Sequence, residues 1–251
     1  MTLYTVAMLA IGALAGGFIT GLAGFGTALF ALGWWLVVLP PEDAVTVVII
    51  MSLIGGIQGM IEVRHVINPA RLARYTVPAL LGVPFGIACL ALINVFILKL
   101  IIGCLLIMFG GYSILRRHMP RITSSTPWID ILIGGIGGVL GGLAGLSGAI
   151  PTMWITLLDW NKADRRAVLQ PFNMLVLGAV LIAFIIQGKL TRDVLFLALL
   201  AFPFTLLGAR LGLLLYRRVN DEQFLRIIIW LILISGVVLV SREWAYLISQ
   251  I

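Results

Sequence analysis

Apolar runs separated by short polar breaks dominate the chain. They fall at 3–20, 27–39, 43–61, 74–93 and 97–115 and resume, past the polar stretch RRHMPRITSSTP, at 128–147, 148–158, 166–187, 192–216 and 223–241. A helix needs about 20 residues to cross roughly 30 Å of hydrocarbon. Most of the runs approach or exceed that length, but 27–39 and 148–158 do not. Each short run follows a Gly-rich stretch: TGLAGFGTALF, Thr20 to Phe30, and GGLAGLSGAIP, Gly141 to Pro151. The pattern therefore predicts two half-helices that begin near mid-membrane, at Thr27 and Gly148.

The two halves of the chain align. Gly16-Gly17 matches Gly137-Gly138, and Gly21-Leu22-Ala23-Gly24 matches Gly142-Leu143-Ala144-Gly145, at a constant offset of 121. After a two-residue insertion, Ala44-Val45 matches Ala167-Val168, Met51 matches Met174 and Gly55 matches Gly178. An internal duplication of this kind is a common plan for transporters. If each Gly-rich element enters and leaves the membrane as a pair, the number of crossings per half is odd and the repeats are inverted. One side then holds Arg64, Arg71, Arg74, Arg116, Arg117, Arg121, Lys162, Arg165, Arg166, Arg217 and Arg218, and the other only Lys99, Lys189, Arg192 and Arg242. Single crossings would make the repeats parallel and even the split to nine against six. Because basic loops stay cytoplasmic, the inverted arrangement is preferred, with residues 40–43 and the C-terminus external.

Composition agrees. Of 251 residues, 61% are apolar and 11% charged, and the mean hydropathy is +1.15. Soluble domains carry about 25% charged residues, so the reading is an all-α integral membrane protein. No charge precedes Glu42, and the run MTLYTVAMLAIGALAGG lacks a basic leader and continues apolar, so it is read as mature sequence. The net charge of +7 sits in short loops, a mark of orientation rather than of nucleic-acid binding. Cys89 and Cys104 fall in apolar runs and are read as inert thiols.

Non-helical backbone at membrane depth leaves N–H and C=O groups unpaired, and it persists only when buried in protein or lining a polar cavity. Pro151 fits the first turn of a helix, where its missing N–H costs nothing. The free N–H groups and positive dipole ends of two half-helices would attract an anion. The substrate-contact residues expected from this are Gly24, Phe25, Gly26, Thr27, Gly145, Leu146, Ser147 and Gly148. The competing reading is that Gly134, Gly138 and Gly142, with Gly137, Gly141 and Gly145, simply let helices pack closely.

These same stretches carry a family resemblance. GFITGLAGFGTALFALGWWLVVLPPEDAV and GVLGGLAGLSGAIPTMWITLLDWNKADRRAVL both resemble the signature of the sulfite exporter TauE/SafE family, and the likeness covers essentially the whole chain. It implies an inner-membrane permease for sulfur-containing anions such as sulfite or organosulfonates. Phe30 stands where the pattern has proline in the first repeat, and Ser147 replaces a glycine in the second.

Few polar side chains fall inside the runs. Gln170 and Asn173 lie three apart around Pro171, so they share a helix face as anion donors or as an interhelical clamp. Thr27, Ser147 and Thr152 either add hydroxyl donors or bond back to helix carbonyls. Ser52 and Gln58 are weaker candidates. Arg210 stands about 10 Å deeper than Arg217 and either faces the pathway or snorkels to the headgroups. Trp34, Trp35, Trp154 and Trp160 near run ends fit an aromatic belt.

All ten carboxylates, and His65 and His118, lie in loops or near run ends, so no proton relay is visible at depth. An anion leaving a negative cell interior needs no coupling proton. Gly145-Leu146-Ser147-Gly148 spells GxSG, but serine chemistry needs a histidine within reach, and neither is near. An enzyme is therefore not expected, nor a metal or cofactor; a cation transporter is not expected either, since it would call for buried carboxylates or many converging carbonyls. The expected molecule is a multi-pass inner-membrane exporter or facilitator built as repeat 1 (1–115), a cytoplasmic linker (116–127) and repeat 2 (128–251). Each repeat holds one Gly-rich broken or re-entrant helix pair and three full spans. Its partners are a small anion and the lipid bilayer, with a homodimer allowed and nucleic acid not. Alternatives are a proton-coupled uptake permease for an organic anion and a non-transporting membrane scaffold.

Overall fold

Among the described residues, ten helices follow the apolar runs closely. The computed structural model describes residues 2–89, 95–115, 122 and 126–248. The helices are α1 (Leu3–Ala23), α2 (Thr27–Trp35), α3 (Pro41–Val63), α4 (Pro69–Cys89), α5 (Val95–Leu115), α6 (Pro127–Ala144), α7 (Ala149–Leu157), α8 (Lys162–Ile186), α9 (Arg192–Arg218) and α10 (Asp221–Ile248). By length and apolar composition, α1, α3, α4, α8 and α9 each suffice to cross a membrane. Most of the expected 116–127 linker lies outside the described residues, as do Arg116, Arg117, His118 and Arg121. The isolated bridge between Ile122 and Leu158 ties what is described of it to the end of α7.

Local chemistry sets the helix ends. Pro41 opens α3 with Glu42 and Asp43 in its first turn, where acids complement the helix dipole. The Asn161 side chain caps α8 by accepting from the Asp164 N–H, and Thr191 caps α9 by accepting from Val194. The α8 cap extends the helix four residues ahead of the apolar run, so Arg165 and Arg166 lie in its first turns rather than in a loop. The two breaks in the Gly-rich stretches are left-handed glycine caps. Gly24 (φ 86°) donates to the Thr20 carbonyl, and Gly145 (φ 68°) to that of Gly141.

After each break the chain doubles back. α2 lies along α1, with Gly16 against Thr27 and Ala31 and Gly12 against Trp35, and α7 lies along α6, with Gly137 and Gly141 against Ser147 and Pro151. Trp35 is fully buried and its indole donates to the Leu9 carbonyl at 3.1 Å. It therefore pins the α1–α2 hairpin, and is not the interfacial residue expected of it. Trp154 also turns inward, donating to Asp130, while Trp160 stacks on the Arg71 guanidinium.

The helices then pair across the halves. α1 runs parallel to α9, with Gly17 against Thr205 and Gly21 against Ala209. α6 runs parallel to α4 in the same manner, Gly134 meeting Tyr75 and Gly138 meeting Ala79. α3 is antiparallel to α8, and α5 to α10. Exchanging each helix with the one five places later returns the same pairings. Such contacts need small residues: a Cβ on Gly138 would stand 2.0 Å from the Ala79 carbonyl oxygen. Close backbone approach, rather than apolar burial, is the attraction available between helices in lipid.

One end of the bundle is basic. It gathers Arg64, His65, Arg71, Arg74, Lys162, Arg217 and Arg218, with ion pairs from Arg71 to Asp164 (3.1 Å) and from Arg217 to Glu62 (2.6 Å). The opposite end carries Glu42, Asp43, Lys189, Arg192 and Asp193.

Candidate functional site

The two Gly-rich breaks meet at a single cavity. Its walls are Phe25, Gly26, Thr27, Ala28 and Leu29 from the first break, Gly145, Leu146, Gly148 and Ala149 from the second, with Ser52 of α3 and Asn173 and Leu177 of α8. The tips touch: a Cβ on Gly148 would lie 2.9 Å from that of Phe25. The space reachable by a water-sized sphere is about 10 Å³, close to the room of one water.

Neither half-helix receives a side-chain cap. Gly26 precedes α2 and Gly148 precedes α7, and no side chain bonds to the first-turn N–H groups of either. At α2 the first-turn N–H groups therefore remain available at the cavity; at α7 the Leu146 carbonyl takes the Ala149 N–H at 3.2 Å and Pro151 has none, which leaves that of Ile150. The positive dipole ends of both helices lie there as well, the condition for holding an anion. Hydroxyl and amide groups complete the wall. Ser147 donates to Asn173 Oδ1 at 2.5 Å, which leaves the Asn173 NH₂ as that side chain's own donor. The Thr20 and Thr27 hydroxyls bond each other beside the break. Ser52, by contrast, donates back to the Val48 carbonyl (2.7 Å), and Thr152 to that of Gly148 (2.6 Å). The back-bonding alternative thus holds for Thr152. Gln58 acts as a clamp on the Leu206 carbonyl at 3.3 Å.

Of the residues expected at the site, Phe25, Gly26, Thr27, Gly145, Leu146, Gly148 and Asn173 line the cavity. Gly24 and Ser147 are not among its walls, although each adjoins in sequence a residue that is. Gln170 is buried one turn further along α8, where its amide donates to the Gly56 carbonyl at 3.1 Å. Arg210 is not brought there. It stands on an exposed face of α9, while its neighbours Gly208, Ala209 and Gly212 pack on α1, so the snorkelling alternative fits its position.

Sequence reasoning missed Arg166. This side chain is fully buried beneath the end of α1. Its Nη2 donates to the Gly21 carbonyl at 2.6 Å and its Nη1 to that of Leu22 at 3.3 Å, and its plane lies 4.2 Å from the Tyr216 ring centroid. A helix that ends buried in the bundle leaves its last carbonyls unpaired, and the guanidinium satisfies two of them. The signal was present in the spacing of Arg166, Gln170 and Asn173, which places all three on one face of α8. Counting Arg166 with the loop charges hid it.

A second, wider hollow of about 310 Å³ opens at the basic end between α4 and α6. Its lining includes Asn68, Arg71, Arg74, Asp130, Asp159 and Trp160. Asp130 is buried at its edge and accepts from both Tyr75 and Trp154. Among the described residues no group of histidine, cysteine or carboxylate side chains could hold a metal ion.

No curated protein and no solved structure matches this chain. The model of one protein family, described as sulfite exporter TauE/SafE, matches residues 8–239 of the 251, spanning both breaks and the cavity they form. The chain belongs to the sulfite exporter TauE/SafE family, and is accordingly a membrane transporter and not an enzyme.

Proposed function

We propose that the chain carries small sulfur-containing anions, such as sulfite or organosulfonates, out of the cell across its inner membrane. One observation carries this reading: two short-helix N-termini without side-chain caps, one from each half of the chain, face a common cavity walled by Thr27 and Asn173. Donors fixed at such ends favour an oxyanion over a cation. The cavity holds about one water, so a sulfur oxyanion enters only when the tips part. Alternating separation of the tips toward the two ends would move it across.

The halves act as inverted repeats, 1–115 and 128–251, joined by the linker at 116–127. Antiparallel packing of the equivalent helices α3 and α8, and of α5 and α10, supports the inversion. The hairpin geometry of α1–α2 and α6–α7 supports a re-entrant pair in each. The basic end would face the cytoplasm.

No carboxylate or histidine lines the described cavity, which favours transport driven by the anion gradient and the membrane potential over proton-coupled uptake. Leaving an interior negative by 100 mV releases about 2.3 kcal/mol per charge. The test uses purified protein in liposomes preloaded with methanesulfonate or sulfite. An inside-negative potential should accelerate efflux with no pH gradient imposed, and methanesulfonate is the cleaner probe because sulfite itself titrates near neutrality. Efflux that ignores the potential but follows an imposed pH gradient would refute uncoupled export. Lack of flux for any sulfur anion would refute the transport assignment itself.

A further inference from the structure

Arg166 does more than end α1. The α6 break, its counterpart in the second half, is closed by backbone N–H groups, Gly145 to Gly141 and Leu146 to Leu140. The α1 break has the same kind of closure, Gly24 to Thr20, and a buried cation in addition. Two carbonyls need two donors, not a positive charge, and a buried charge carries a large desolvation penalty. The charge is thus surplus to the cap.

Its placement gives it a use. From the cavity toward the basic end, α8 presents Asn173, then Gln170, then Arg166, the last about 10 Å from the first at 1.5 Å per residue. The cavity wall itself is neutral. Gln170 Oε1 and Arg166 Nε are both buried and without a partner. The Arg166 stem lies beside Gly24, whose Cβ would stand 3.5 Å from its Cγ, and the guanidinium lies beside Gly59, whose Cβ would stand 2.6 Å from Nη2. Beyond it the Glu62–Arg217 pair lies at the bundle surface, and Glu62 is near enough to interact with Arg166.

Resting on the transport reading above, we propose that Arg166 is a specificity-determining residue: the fixed positive charge that makes the path prefer a dianion over a monoanion of similar size. A unit charge about 10 Å away, at an effective dielectric near 20, weights a second negative charge by roughly tenfold. The α1 carbonyls hold the guanidinium in place, and Tyr216 screens its other face.

The experiment measures efflux of sulfite at alkaline pH, where it is the dianion, against efflux of methanesulfonate, a monoanion, from proteoliposomes. Arg166→Gln keeps donors for the carbonyls and removes the charge. It should lower the sulfite-to-methanesulfonate ratio about tenfold, with methanesulfonate flux itself falling by about tenfold because it carries one of the two charges. Equal loss of both fluxes with an unchanged ratio would mean that Arg166 only supports α1, and would overturn the proposal. Glu62→Gln, on the partly exposed end of α3, needs no buried change and should raise the ratio by unmasking the cation. A Glu62→Gln ratio at or below wild type overturns the proposal even where Arg166→Gln does not reach the membrane. Wild-type protein that moves neither anion removes the transport reading itself, whereas wild-type flux with unresponsive ratios removes only the role of Arg166.

Discussion

Asn173 and Arg166 occupy one face of α8, yet only the first was visible in the sequence as a site residue. Asn173 stood out because an amide among apolar neighbours is rare. Arg166 did not, because it follows Lys162, Asp164 and Arg165 and reads as one more loop charge until the Asn161 cap starts the helix early. Glycines were the most legible residues, since a helix end with positive φ admits few others. Gly145 isolates that requirement. Its φ is 68°, and a Cβ there would meet nothing within 4 Å, so replacing it changes backbone strain and little else. A left-handed conformation costs an L-residue about 1–2 kcal/mol, less for asparagine. Gly145→Ala should therefore lower unfolding free energy in detergent by about 1 kcal/mol, and Gly145→Asn by less. Equal stability of Gly145→Ala and wild type would show that the break does not hold this geometry in the membrane protein.

Elements were legible where turn chemistry is strong. The half-helices start where the Gly runs end, and Pro151 sits in the first turn of α7 as expected. Partner choice was not legible: nothing in a GxxxG spacing says that α6 packs on α4, or α1 on α9. Nor did a Trp at a run end reveal that Trp35 turns inward to bond Leu9. Both outcomes depend on contacts between distant segments. The glycine stripes thus pack helices closely, as the packing reading expected, and the breaks beside them line the cavity. The packing role can be separated by position. Gly138→Ala places a methyl 2.0 Å from the Ala79 carbonyl oxygen and must part α4 from α6, a cost of roughly 1–3 kcal/mol for overpacking. Gly178→Ala, in α8, meets nothing within 4 Å and should gain about 0.5 kcal/mol from helix propensity. Paired thermal unfolding measurements check this, and a Gly138→Ala protein as stable as Gly178→Ala would contradict the α4–α6 contact.

At the scale of the molecule, the duplication was legible because the repeats keep the same glycines at one offset. The sequence expected both short helices to begin at one central site, and residues of both breaks do line one cavity. The closed, water-sized volume of that cavity did not follow, because tip-to-tip contact of Phe25 and Gly148 is a packing outcome. Orientation remains the property with the sharpest test. If α1–α2 and α6–α7 enter from opposite faces, Glu42 and His65, at the two ends of α3 and both exposed, lie on opposite sides of the membrane. The basic cluster around Arg64, Arg71 and Arg217 assigns the His65 end to the cytoplasm, because translocating basic loops is disfavoured. With Cys89 and Cys104 first replaced by serine or alanine, a membrane-impermeant maleimide added to intact cells should label Glu42→Cys and spare His65→Cys. Permeabilising the cells should then expose the second site. Labelling of His65→Cys in intact cells, with Glu42→Cys protected, would reverse the orientation. It would also place the Arg166 charge on the external side of the cavity. Labelling of both without permeabilisation would mean that α3 does not span the bilayer, and the inverted arrangement of the repeats would fall with it.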